Sequence, residues 1–375
     1  MKRKNPALYP FTPFEGRLSR DEVWQAVFPP WENLTHPLVR YEIRQTRRRG
    51  TRPWLGITVT IITLSAMIAV VLIGGRSWKA LWVTMLAGLL AYLVLGRLRL
   101  LVALAEQATR MITLRRERGD WDLIMLTPIP KSRWVNLQVT ALIWQTWPLV
   151  RGLMIIHAVF MLLAIGYLGV AQHDSYQNEA FSDSYQYLPD PNAHYLPAWI
   201  FVALALPIGA LATLIPLAEV GLYASAVLNA SAESRMAAFS LLRAVIYLGI
   251  GRIVSTVVFV VVTPLAMMVL IVILGTLFPQ EFNGMDVRLA VGLASGFIMV
   301  GTLLAYGIPV VFLALVWEWL PWIGILALTM EMPYLVHVVI FLAFLLTLPY
   351  SYTYAPIEST RGFLTSALHR LSRRD

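Results

Sequence analysis

Apolar positions in this chain come in long blocks, without the alternation of a half-buried strand or the narrow stripe of a surface helix. The blocks are Trp54–Gly74, Leu81–Leu101, Trp134–Val170, Trp199–Val227 and Met236–Phe278, joined by more polar, charge-bearing connections. Each reaches the ~18–20 apolar residues that cross a bilayer as a helix. Lipid offers no water to satisfy backbone groups, so helices are the natural spanning element. The pattern predicts an all-α polytopic membrane protein. Two blocks are too long for one span at about 1.5 Å per residue. Trp134–Val170 predicts a helix that starts early and is extended or kinked near Pro148. Met236–Phe278 predicts a start in the cytosol, bearing Arg243 and Arg252, and a span kinked at Pro264.

Beyond residue 286, the blocks Val287–Val316 and Ile323–Tyr350 flank the run Trp317–Trp322, WEWLPW. Full crossing by both gives seven spans and an external C-terminus. The tail carries Arg361, Arg370, Arg373 and Arg374, which favours a cytoplasmic end. A re-entrant pair within Val287–Val316, bent near Gly307-Ile308-Pro309, restores an even count. Such irregular backbone is tolerated where protein buries it. The expected architecture is therefore about six transmembrane helices plus a re-entrant hairpin, preceded by an interfacial amphipathic helix. It divides into a cytoplasmic segment 1–53, a transmembrane domain 54–355 and a basic cytoplasmic tail 356–375. Within the domain lie a cytoplasmic loop 106–133 and an external loop 171–196.

Composition agrees with the pattern. The 375 residues are 58% hydrophobic, with a mean hydropathy of +0.66, above the ~45–50% apolar content of soluble domains. The net charge of +9 would suit nucleic acid, but its placement argues against that partner. Arg44, Arg47, Arg48, Arg49 and Arg52, then Arg115, Arg116, Arg118, Lys131 and Arg133, flank spans, whereas Ala171–Tyr195 has no Lys or Arg. This is the positive-inside pattern of a multi-pass protein of the plasma (cytoplasmic) membrane, with the N-terminus in the cytoplasm. There are no cysteines, so disulfides, thiolate metal sites and cysteine nucleophiles are excluded. The basic N-terminus lacks the apolar core of a cleaved signal peptide.

His36–Arg49, HPLVRYEIRQTRRR, predicts the amphipathic helix. At ~100° per residue, Arg40, Arg44, Arg47 and Arg48 share one arc and Val39 and Ile43 lie opposite. Such a helix would lie at the cytoplasmic interface with its arginines toward anionic headgroups. A charge cluster that only orients the first span is the alternative. The next expected span returns to the cytoplasm near Arg97 and Arg99, which can snorkel to the headgroups.

Catalytic chemistry is sparse. There is no G-x-x-x-x-G-K-[ST] loop to hold nucleotide phosphates, and no H-E-x-x-H or G-x-S-x-G. His157 and His337 lie in spans, where a lone histidine more often packs or hydrogen-bonds than ligates. Arg151, Glu219, Glu318 and Glu331 put charge into apolar stretches, at a cost of several kcal/mol unless paired or hydrated. Arg151, Glu219 and Glu331 could line an intramembrane polar pathway, and Arg151 could pair with Glu219. Alternatively, Glu318 is interfacial within its tryptophans and Arg151 snorkels.

The most informative connection is Arg115–Pro130, RRERGDWDLIMLTPIP. Gly119 permits a chain reversal, and Asp120 is a good N-cap for a helix start. Trp121, Leu123, Ile124 and Leu126 then give a compact apolar face. Thr127-Pro128 ends the helix, because a residue before proline disfavours the helical conformation. A helix this short is marginal alone and needs a surface to pack on, whether a partner or the protein's own helices and headgroups.

The run ERGDWDLIMLTPIPKSRWV resembles the signature loop of the permease subunits of type-2 ABC exporters. Glu117, Gly119, Asp122, Leu123, Ile124, Met125, Thr127, Pro128 and Ile129 occupy matching positions. Arg115 departs from it, where the family often has an acid, as does Asp120, where Thr or Ser is usual. HPLVRYEIRQTRRR resembles the family's interfacial helix, with His36 in place of the usual Asn before Pro37. Gly221–Arg235 is similar to the segment closing the fourth span. The resemblance covers about residues 36–255. It implies a non-catalytic permease that pairs with a second copy or a homologous permease and couples to a separate ATPase subunit. ATP and Mg would be bound by that subunit, with no cofactor on this chain. It places the coupling role on Glu117, Gly119, Asp120, Trp121, Asp122, Leu123, Leu126, Thr127 and Pro128. The competing expectation is an ATP-independent secondary transporter, or an intramembrane enzyme using Glu219, Glu331 and His337.

Overall fold

The computed structural model describes residues 36–48, 78–113, 115, 131–181, 195–234, 237–277, 296, 320–330, 332 and 334–372. The expected first span Trp54–Gly74, loop residues 116–130, nearly all of the expected re-entrant stretch Val287–Val316, Glu318 and Glu331 lie outside the described residues. Among the described residues the chain forms eight α-helices and no β-strand. They are α1 (Pro37–Arg48), α2 (Trp78–Met111), α3 (Lys131–Phe181), α4 (Ala198–Thr213), α5 (Ile215–Glu233), α6 (Ala237–Leu277), α7 (Leu320–Ala327) and α8 (Tyr334–Ser372). Among the described residues four stretches are long and apolar enough to cross a membrane: Trp82–Met111, Arg133–Asp174, Ala198–Glu233 and Tyr334–Arg370. This is the make-up of an all-α membrane protein.

The long helices outrun their apolar blocks. α3 has 51 residues and is about 77 Å long at the usual rise, well over the ~30 Å of a hydrocarbon core. It passes through Pro148 without a break and carries residues 171–181, expected to be external loop, as helix. α2 similarly continues through residues 106–111 of the expected cytoplasmic loop, helped by the one-turn pair Glu106 and Arg110. α8 joins the last apolar block to most of the basic tail in one helix of 39 residues.

One expected span is divided. The chain turns at Leu214, between α4 and α5, within the block Trp199–Val227. Pro216 lies at the start of α5, where it needs no N–H of its own. The Leu214 N–H turns back to the Leu211 carbonyl at 3.1 Å, tightening the last turn of α4. The block Ile323–Tyr350 is also divided: α7 ends at Ala327 and α8 starts at Tyr334. The described part of α7 has 8 residues. Its Gly324 lets the helix close onto the Phe344 ring of α8, since a Cβ there would meet Phe344 Cδ1 at 2.4 Å. His337 is bonded to the Met330 carbonyl in the intervening turn at 3.0 Å, a structural role.

α5 is the central post. It touches α2, α3, α4, α6 and α8, and Val220–Ala232 is buried throughout. Its run VGLYASAVLNASA is rich in small residues, which let neighbouring helices approach closely where burial from water gives little drive. α6 and α8 join through an edge-to-face Phe259–Phe344 pair, 5.4 Å between centroids, and a Thr263–Thr347 hydrogen bond of 3.0 Å. α1 lies outside this bundle, resting on α3.

Candidate functional site

The amphipathic helix expected over His36–Arg49 is present as α1. Val39 is fully buried and Ile43 partly buried, whereas Arg40, Tyr41 and Arg44 are exposed. Arg47 and Arg48 lie on the last turn, their side chains outside the described residues. His36 starts the helix. The Leu38 N–H donates to His36 Nδ1 at 3.3 Å, and the Arg40 N–H donates to the His36 carbonyl at 3.1 Å. Pro37 fills the next position, where no donor is missed. The ring thus does what an asparagine side chain does at an N-cap. Burial, followed by the nearby positive charge of Arg133, holds His36 below its ordinary pKa of 6.5. A lowered folded-state pKa means the cap contributes fully above about pH 6.5 and is lost as pH falls toward the folded value. The protection factors of the amides across residues 38–41, which correct for the slower intrinsic exchange at low pH, should therefore fall on acidification. His36→Asn should abolish that dependence and keep the helix, whereas His36→Ala should weaken it by about 1 kcal/mol at neutral pH.

Glu42 is the residue of α1 that sequence reasoning passed over. It is almost completely buried, at 3% side-chain exposure against 13% for its partner Arg115. Arg115 Nη2 donates to Glu42 Oε2 at 2.9 Å, and Nη1 lies 2.7 Å from Oε1. The Nη2 hydrogen bond, charged at both ends and buried, is the strong form of such a contact. The Gln145 amide of α3 donates to the Glu42 carbonyl at 3.2 Å, and the Arg115 guanidinium sits 6.0 Å from the centre of the Tyr41 ring. A signal was available: Glu42 is the lone acid in HPLVRYEIRQTRRR and shares the Val39–Ile43 face at helical spacing.

A second polar cluster lies inside the bundle. Glu219 of α5 faces Arg97 of α2, with Nη1 3.6 Å from Oε2 and side-chain exposures of 5% and 2% for Arg97 and Glu219. His157 of α3 is buried within electrostatic reach of Arg97. This corrects two expectations. Glu219 is matched by Arg97, not by Arg151, which is exposed on α3. Arg97 does not snorkel, because α2 runs on past it to Met111 and carries it inside the packed region.

A third cluster closes the end of the bundle where α2 stops. Glu233, the last residue of α5, is bonded to Arg370 of α8 and the Tyr247 hydroxyl of α6, with Arg243 Nη1 3.5 Å away. Arg370 also donates to the Tyr247 oxygen at 2.9 Å. Beside it, Thr109, Ser240 and Ser231 form a buried hydroxyl chain across α2, α6 and α5, and Thr113 reaches the Ser231 carbonyl. The same end therefore carries α1, Arg115 and ties among four long helices.

The nine coupling residues, Glu117, Gly119, Asp120, Trp121, Asp122, Leu123, Leu126, Thr127 and Pro128, lie outside the described residues, as does Glu331. Among the described residues no group of histidines and carboxylates could hold a metal ion. Comparison of the chain with protein-family models, with curated proteins and with solved structures gives no match in any of the three.

Proposed function

We propose that the chain is the membrane-spanning permease subunit of an ATP-driven ABC export complex, non-catalytic itself. In this proposal it pairs with a second copy or a homologous permease in the plasma membrane, and the end bearing α1 and Arg115 is cytoplasmic. The observation that supports it best is a juxtaposition. Two segments that each resemble the type-2 exporters, the interfacial helix and the start of the signature loop, are 73 residues apart at Glu42 and Arg115 and meet in one ion pair. The short, tryptophan-bearing helix that the sequence predicts in that loop would offer what a mobile joint to a soluble subunit needs, a few bulky anchors for a groove. The chain lacks a nucleotide-phosphate loop, so a separate subunit would bind ATP and Mg.

The test is recovery of the tagged full chain from its native membrane in mild detergent, with partners identified by mass spectrometry. A nucleotide-binding subunit in stoichiometric yield is expected. The folded chain alone, in good yield, would count against the proposal.

The Arg97–Glu219 pair favours a second reading, an ATP-independent transporter with an intramembrane polar pathway, because ionisable groups inside a membrane commonly mark substrate or proton paths. Its enzymatic variant has less support, since Glu219 is engaged by Arg97 and the His337 ring by the Met330 carbonyl.

A further inference from the structure

We infer that Glu42 is a positioning residue that clamps Arg115, the foot of the signature loop, to the interfacial helix, so that a push on the loop is delivered to α1 and through Gln145 to α3. The inference rests on the export proposal for what pushes the loop, but the clamp itself is read from geometry. Arg115 lies four residues past the end of α2. There the Glu42 carboxylate and the Tyr41 ring, both on α1, hold its guanidinium, and the Gln145 amide of α3 donates to the Glu42 carbonyl. A buried guanidinium hydrogen-bonded through Nη2, with Nη1 in close contact, is held more firmly than the point charge of a lysine would be. Val39, one turn before Glu42, is fully buried, so α1 is seated by packing as well as by charge. The clamp also gives a reason for the basic residue at 115, where exporters of this kind often have an acid: here the acid is supplied by α1.

The absence of cysteine makes the test direct, because two introduced cysteines can be spin-labelled without background. Labels at Arg40→Cys on α1 and Val102→Cys on α2, both exposed positions, report the placement of α1 against the bundle. In the full chain in lipid, Glu42→Gln and Arg115→Gln should each broaden the distance distribution. The double variant should be no broader than either single one, since both remove the same contact. Arg115→Lys, which keeps the charge but loses the fork, should fall between. Additive broadening, or a wild-type distribution in Glu42→Gln, would overturn the clamp. In the complex with its ATPase, Glu42→Gln should leave the subunit bound. The nucleotide-driven change in label distance should be largely lost. A full-sized change would overturn the positioning role. Recovery of no ATPase at all is a different failure, that of the export proposal, and leaves the clamp to be decided by the label distances.

Discussion

Glu219→Ala is expected to cost the folded chain about 3–5 kcal/mol, because it leaves the buried Arg97 guanidinium without its matching charge. Arg97→Ala should cost a similar amount by stranding the carboxylate. Removing both charges behaves differently. An Arg97→Met, Glu219→Leu double variant replaces the pair with apolar groups of comparable volume, which is often neutral or stabilising. Thermal unfolding of purified protein should thus show two badly destabilised single variants and a double variant near wild type. Independent, additive losses would show that the two groups do not act as a pair. The double variant also separates the two functional readings. If the pair lines a transport pathway, the protein should fold and fail to transport; if it only fixes how α2 meets α5, transport should persist.

Gly324→Leu is expected to break the seating of α7 on α8. A Cβ at that position would already lie 2.4 Å from Phe344 Cδ1 and 2.7 Å from Cε1. Phe344 is itself fully buried and packed edge-to-face on Phe259, so the ring has little room to yield. Overpacking of this kind costs about 1–3 kcal/mol when the neighbours shift, and more when they cannot. Phe344→Ala alone should cost about 3–5 kcal/mol through its cavity. Combined with Gly324→Leu, part of that loss should return as the leucine fills the vacated space. Melting temperatures of the two single variants and the double variant decide the matter, and a double variant at the sum of the single losses would rule out the close approach.

The helices themselves were legible because a bilayer-length apolar block has few other uses. Their ends and breaks were less so, and the prolines show why. Pro148, Pro207, Pro264, Pro349 and Pro356 all sit inside continuous helices, whereas Pro216 marks the start of one. In lipid, neighbouring helices and hydroxyl side chains can satisfy the groups a proline frees, so sequence alone cannot tell a tolerated proline from a break. The reach of α2 and α3 beyond their apolar blocks was hidden for a related reason, since helix outside the membrane needs no hydrophobic run. Among site residues, Glu219 was visible as a costly intramembrane charge. Its partner was not, because Arg97 stands near the end of an apolar block and only the packing of α2 on α5 brings the two together. Glu42 could have been found from its place on the buried face of α1. The cluster of Glu233, Tyr247 and Arg370 depends on a contact across 137 residues that no spacing rule signals.

Coupling to a separate ATPase is tested by comparing Trp121→Asp with the unchanged chain in the same native membranes. A charge in the middle of the loop's apolar anchors should abolish recovery of the nucleotide-binding subunit, while the amount of chain in the membrane and its melting temperature stay as they were. Undiminished recovery of that subunit with Trp121→Asp would show that the loop does not couple the chain to an ATPase.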